Sequence, residues 1–341
     1  MKMRGIPALI DKGPCAVIKK LLVFESRYSI FESGTPMETS QKICRRIAVL
    51  LACHNRKDKT ISCLRSLRAQ SLPGWNPAEE REVSQSKAVD RESHPPPGAL
   101  PHFYTLQIFL VDDGSTDGTA EAVRCVWPDA TIIKGNGKLF WCGGMRVAWE
   151  VAAKTDPDYY LLLNDDTIIE SDALSELLAR APSPSTETIA VAPIADPDTG
   201  TVVFGGHRGH DANPLKPEGF PLACDTMNAN CTLVPQLVFG KIGMFHRAYT
   251  HAMGDFDYGF TASRLGVKIL QAGHVLGTSK PNPEVRTWRD KSLTRRERFR
   301  LLWCSPKGLP FLEWLIYARR NEGFLWPYRA ISPALRILAG R

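Results

Sequence analysis

Three stretches of this chain set carboxylates side by side or nearly so: Asp112 and Asp113 in LVDDGS, Asp165 and Asp166 in LLLNDDT, Asp255 and Asp257 in GDFDYGF. Adjacent like charges repel, and the apolar run before each of the first two cannot solvate them. Acids are kept in such places when something positive or hydrogen-bonding meets them. Carboxylate oxygens suit Mg2+ or Mn2+, with substrate phosphates completing the shell. They equally accept hydrogen bonds from a nucleobase or a ribose. Taken alone, each Asp pair is as well explained by a turn or a helix N-cap. For Asp255 and Asp257 the two accounts are acids decorating a helix N-terminus and a general base facing a crevice.

The elements around these acids are readable from periodicity. IAVLLACHNR (47–56) opens as an unbroken apolar run, the mark of a strand buried on both faces. LQIFLVDDGS (106–115) repeats that pattern, and TII (131–133), YYLLL (159–163) and IAVAP (189–193) add three shorter strands. Ile61, Leu64 and Leu67 share a helical face, and a helix is expected over 116–126. Met145, Ala148, Trp149 and Ala152 fall at i, i+3, i+4, i+7, and Leu174, Leu177, Leu178 and Ala181 repeat that spacing. Strands alternating with helices predict an α/β fold with a mostly parallel, Rossmann-like sheet. Ligands bind outside the carboxyl ends of such strands, so both Asp pairs are expected to open into one crevice.

Between them lies GNGKLFWCGGMRVAW (135–149), whose Gly135, Gly137, Gly143 and Gly144 allow close backbone approach to a ligand. Lys138 and Arg146 place positive charge there, and Trp141 an aromatic ring. A tight loop with its tryptophans in the core is the alternative, preferred for Trp149. The spacing matches neither GxGxxG nor a Walker loop. His207 and His210 in GGHRGHDANP can ligate metal, but the Gly and Pro content favours a mobile loop. His251 and His274 are assigned no role.

Composition narrows the classes. The chain has 341 residues, with 43 basic and 36 acidic side chains giving +7. This mild excess favours anionic partners, and no long basic stripe with interleaved aromatics argues for nucleic acid. Nine cysteines with no CxxC pair point away from a disulfide framework or structural zinc. No apolar run reaches the roughly 18 residues of a membrane span. A cytoplasmic protein, peripheral at a membrane at most, is the expectation.

The ordered set CHNR, LVDDGSTDGT, GNGKLFWCGG, LLLNDDT, NANCTLVP and GDFDYGF followed by Arg264 and Gly266 resembles family 2 glycosyltransferases of the GT-A fold. Its rhamnosyltransferase- or galactosyltransferase-like branch is the most similar in flavour. The resemblance runs from about residue 45 to the C-terminus. It implies an inverting hexosyltransferase of carbohydrate biosynthesis, using a nucleoside-diphosphate sugar such as a UDP- or dTDP-sugar, Mn2+ or Mg2+, and a glycan or lipid-linked acceptor. By the same resemblance, Cys53, Asn55, Arg56, Asp113, Gly137, Lys138, Trp141, Asn164 and Asp165 meet the nucleotide-sugar, with Asp113 on the base. Asp166 is the implied metal ligand and Asp255 the catalytic base. Asn228, Asn230 and Asp257 are implied contacts of donor or acceptor sugar, although the two asparagines also read as turn residues. Asn164 departs from the family's DxD, which lowers the negative charge facing a cation. A nucleotidyltransferase and a non-catalytic nucleotide-sugar-binding protein are the competing readings.

These signals divide the chain into an extension (1–45), a GT-A domain (46–285) and a basic helical C-terminal region (286–341). A charged, then Pro-rich insertion at 74–102 is expected to be disordered. The C-terminal region, with RRERFRLLW and EWLIYARR, is expected to pack on the catalytic domain, a membrane surface being its alternative site.

Overall fold

The structure, a computed structural model, describes residues 44–73, 75, 103–211, 213–281 and 287–340. Nearly all of the expected extension (1–45), and the 74–102 insertion apart from Trp75, lie outside the described residues.

Strand β1 (Cys44–Cys53) is followed by helix α1 (Lys57–Arg68), then β2 (Phe103–Asp112), α2 (Thr119–Val126), β3 (Thr131–Lys134), α3 (Phe140–Ala153) and β4 (Tyr159–Leu163). The chain continues through β5 (Ile168–Ile169), α4 (Ala173–Arg180), β6 (Thr188–Val191), β7 (Ile194–Ala195), β8 (Val202–Phe204), β9 (Gly206–His207), β10 (Leu222–Cys224), β11 (Thr226–Met227) and β12 (Cys231–Pro235). Helices α5 (Gln236–Ile242) and α6 (Gly254–Arg264), strands β13 (Lys268–Gln271) and β14 (Gly277–Thr278), and helices α7 (Arg295–Cys304), α8 (Phe311–Asn321) and α9 (Trp326–Leu338) complete it.

The main sheet runs β10-β13-β6-β12-β4-β1-β2-β3, and only β10 and β12 oppose their neighbours. This is the expected mostly parallel α/β sheet. Its central strand shows why the apolar run is unbroken: Ile47, Val49 and Leu51 pack on one face with Leu64, Leu67 and Leu174. Ala48 and Leu50 pack on the other with Met145, Trp149 and Tyr258. Alternate side chains point to opposite faces, and helices cover both, so neither face tolerates a polar residue. Trp149 is fully buried, with the rings of Tyr160, Phe239, Phe245 and Tyr258 at 5.4–5.7 Å, as the core assignment expects.

Two expected boundaries shift. Strand β2 stops at Asp112, and α2 starts at Thr119 rather than 116. The intervening turn is held by side chains: Asn55 Oδ1 accepts the Thr116 N–H at 2.8 Å, and Asp117 accepts those of Lys57 and Thr119. Side-chain acceptors thus take backbone donors that a longer helix would have used. All eight described cysteines are free. Among the described residues, no helix is long and apolar enough to cross a membrane.

The C-terminal helices dock on α6 through one well-made pair. The Arg320 guanidinium donates to both oxygens of Asp257 at 2.7 and 3.1 Å, and the Asn321 amide adds a third bond at 2.8 Å. Asp257 is 2% exposed. Replacing its charge leaves these donors poorly matched, so Asp257→Asn is expected to lower unfolding free energy by about 2 kcal/mol, read from urea melts at pH 7. The same variant should alter nucleotide affinity little.

Candidate active site

Strands β1, β2 and β4 are parallel, so their carboxyl ends bring CHNR, DDGS and NDD to one edge of the sheet. Strand β12 runs the other way, so its beginning lies beside the end of β4. The join is direct: the Asn164 N–H donates to the Asn230 carbonyl at 2.9 Å. Helix α6 then starts at the same edge, where Asp255 Oδ2 accepts the Ala229 N–H at 3.3 Å.

These segments enclose a cavity of about 520 Å³. Arg56, Trp141, Asn164, Asp165 and Asp166 line one part; Asn228, Asn230, His251 and Asp255 line another; Trp314, Tyr317, Arg329 and Arg336 of α8 and α9 form a further wall. The structure therefore gathers eight of the expected site residues: Arg56, Trp141, Asn164, Asp165, Asp166, Asn228, Asn230 and Asp255. Six others lie off the cavity wall. Asp257 is turned to Arg320, and Cys53 is buried, its thiol raised far above the usual range by desolvation and nearby carboxylates. Asn55, at φ 50, shapes the adjoining turn. Asp113 is 5% exposed and accepts three backbone N–H groups, from Gly137, Leu139 and Phe140, at 2.8–2.9 Å. It clamps the loop that carries Gly137 and Lys138. Gly135 is required there, because a Cβ would sit 2.5 Å from the Asp113 carboxylate.

The electrostatics centre on NDD. One Arg56 nitrogen lies 3.2 Å from Asp165 and 2.9 Å from Asp166, with Lys59 at 3.7 Å from Asp166. Burial pushes the Asp165 carboxyl up to about 6 despite the opposing pull of Arg56. Its Oδ2 is buried without a hydrogen-bond partner. Asn164 explains its own departure from an acid: its Oδ1 accepts the Trp141 indole N–H at 2.7 Å, and a neutral oxygen does this without burying a further charge. The carboxyl of Asp255 is raised as well, chiefly by burial, against the backbone donors of Phe256 and Ala229.

His207 is 2% exposed, with one ring nitrogen 2.8 Å from Asn228 Oδ1 and the other 3.0 Å from the Asp211 carbonyl, so both are engaged. His210 lies 3.3 Å from Glu322 on the cavity wall. No cluster of three metal-ligating side chains forms among the described residues.

Sequence reasoning passed over His251, Ser279, Lys280 and the α9 residues, all of which line the cavity. Burial lowers the His251 pKa to about 4, helped by Lys307 and Arg56. A histidine whose folded pKa is depressed adds stability when neutral, and that stability is lost as pH falls below the unfolded value of about 6.5 toward 4. Between pH 7 and pH 5, His251→Phe is therefore expected to lose about 2 kcal/mol less unfolding free energy than wild type, measured by denaturant titration at each pH. Only the ring's proximity to a fourth segment of chain would have flagged it, and no spacing rule encodes that.

The sequence family described as Glycosyl transferase family 2 matches residues 88–253. That span, just under half of the chain, is similar to family 2 glycosyltransferases. The matched span holds Asp113, the NDD motif and the 228–230 loop, and it stops two residues before Asp255. Strand β1, with its CHNR motif, precedes it.

Among solved structures, GalNAc-T7 with UDP, GalNAc and Mn2+ shares the fold at 14% identity and a TM-score of 0.50, over 86% of this chain and 54% of that one. The mannosyltransferase PcManGT from Pyrobaculum calidifontis, in complex with GDP-Man and Mn2+, matches at 12% identity and 0.47, over 95% and 81%. S. aureus TarS 1–349 matches at 11% identity and 0.46, over 86% and 71%. No curated protein matches the chain. The fold shared with GalNAc-T7 agrees with the GT-A architecture expected from the sequence.

Proposed function

We propose that the chain is an inverting glycosyltransferase that moves a hexose from a UDP- or dTDP-sugar to an acceptor hydroxyl. The observation carrying this reading is that the adjacent Asp165 and Asp166 and the distant Asp255 line a single cavity of about 520 Å³. The family match over residues 88–253 and the fold shared with GalNAc-T7, solved with UDP, GalNAc and Mn2+, support it.

The donor set fits a divalent cation. Asp166 and the unpartnered Oδ2 of Asp165 are hard oxygen donors, already drawn to the positive charge of Arg56. Asp166, with help from Asp165, would hold Mn2+ or Mg2+, which supplies charge neutralisation to the departing diphosphate. Trp141 walls the donor pocket and is held by Asn164. Asn228 and Asn230 orient sugar hydroxyls.

Asp255 takes the acceptor proton. The freed oxygen attacks the anomeric carbon, that carbon's bond to the diphosphate oxygen breaks, and its electron pair leaves with the diphosphate. One displacement inverts the centre without a covalent enzyme intermediate. Burial strengthens Asp255 as a base by raising its pKa toward neutrality.

Thermal melts with UDP, dTDP and GDP, with and without Mn2+, test the reading first. A cation-dependent stabilisation by one diphosphate, followed by release of that diphosphate from its sugar donor with an acceptor present, supports it. Equal melts in every condition, with no donor discharged, would end it.

A further inference from the structure

Twelve large apolar side chains are markedly exposed among the described residues, and eight of them fall between positions 311 and 338. Five of the eight form a continuous line. Tyr328, Ile331, Leu335 and Leu338 of α9 are 61%, 52%, 45% and 54% exposed at alternating spacings of three and four. Phe324, in the 3-10 turn (Gly323–Leu325) that feeds α9, continues the spacing and is 90% exposed. Residues so spaced share one helical face. The face that α9 buries is different: Ala330, Pro333 and Ile337. Helix α9 is thus apolar on two sides, and the protein covers only one of them.

Charge decides what suits the other. Residues 286–341 contain thirteen basic and four acidic side chains, an excess larger than the +7 of the whole chain. All four acids are turned to neighbours: Asp290 accepts from Ser292, Glu297 closes the Thr294 capping box, Glu313 accepts from Thr250, and Glu322 lies beside His210 and Arg329. A basic region bearing an uncovered apolar helix face has the composition of an interfacial helix on anionic lipid.

We propose that α9 and its leading turn dock this protein on an anionic lipid bilayer, with Phe324, Tyr328, Ile331, Leu335 and Leu338 entering the acyl boundary. The placement bears on the site. Arg329, Ser332, Pro333 and Arg336 line the cavity, and Arg329 and Arg336 each follow a stripe residue by one position, about 100° around the helix. Seating the stripe in lipid puts the cavity rim at headgroup level, where both arginines meet phosphates. An acceptor carried on a lipid reaches the cavity from there without leaving the surface.

Flotation of the full chain with vesicles, either phosphatidylcholine alone or phosphatidylcholine with 30 mol% phosphatidylglycerol, tests this at roughly 0.1 M salt. Wild type should partition at least about tenfold more strongly onto the anionic vesicles, and high salt should weaken it. Ile331→Glu with Leu335→Glu should abolish partitioning. Both positions are exposed, so melting temperature and the nucleotide-diphosphate response are expected to stay as in wild type. Arg336→Gln should weaken partitioning only on anionic vesicles. Equal binding to both vesicle types, or unchanged binding by the double variant, overturns the proposal. So does sedimentation showing that the double variant converts a dimer to a monomer, because the stripe is then a subunit interface. Loss of the nucleotide response in wild type would instead count against the glycosyltransferase reading.

Discussion

Asp255→Asn is expected to lower kcat by roughly 10²–10⁴ while leaving nucleotide-diphosphate affinity within about twofold of wild type. The asparagine carbonyl can still accept the Ala229 N–H, so the loop from 228 to 230 keeps its place. The substitution removes a carboxylate that burial already disfavours, so the variant should be no less stable than wild type at neutral pH. The pH profile carries a second signature. A base must be deprotonated to work, and this one has a raised pKa, so activity should fall on acidification at a pH above the ordinary Asp value of about 3.9. Initial rates with a radiolabelled donor, set beside calorimetric binding of the diphosphate, read both quantities. A variant that keeps more than a tenth of wild-type kcat would remove Asp255 from the mechanism.

The second large effect concerns the cation. Asp166→Asn should cost at least about tenfold in the Mn2+-dependent part of diphosphate affinity, because it removes the more accessible of two hard anionic donors. Arg56→Gln should act in the opposite sense on the metal alone. Its guanidinium spans Asp165 and Asp166, and with it gone two carboxylates face each other uncompensated. The cation-free protein should lose roughly 1–2 kcal/mol, a modest figure because Arg56 is 37% exposed. Mn2+ should restore that loss, and Mn2+ binding measured by electron paramagnetic resonance without nucleotide should tighten. If Arg56→Gln neither weakens the cation-free fold nor strengthens Mn2+ binding, the guanidinium is not holding the cation's place.

Much of this architecture can be read from the residues, for reasons the structure makes plain. β1, β2 and β4 are buried on both faces, which forces an unbroken apolar run. α3 buries one face against the sheet, which forces the 145, 148, 149, 152 spacing. Strands β5, β7 and β14 have two residues each and contain no period to detect. The reversed direction of β12 leaves no mark on its composition either, yet it brings Asn230 beside Asn164. Side-chain partnerships over long separations are equally silent. Asp257 looks like its neighbour Asp255 in sequence, and Arg320 and Asn321, more than 60 residues later, turn it away from the cavity. Asp113 sits in a motif that suggests a ligand, while three backbone donors from 137 to 140 surround its carboxylate.

The walls of the cavity come from distant parts of the chain. Arg56, Trp141, Asn164, Asp165 and Asp166 follow the sheet's first four strands, whereas α8 and α9 follow the last strand altogether. A foreign tail grafted after β14, with the Asp257–Arg320 clasp retained, therefore exchanges one wall of the cavity and leaves the others as inherited. Chimeras joined near residue 290 would show whether the walls of the cavity act independently.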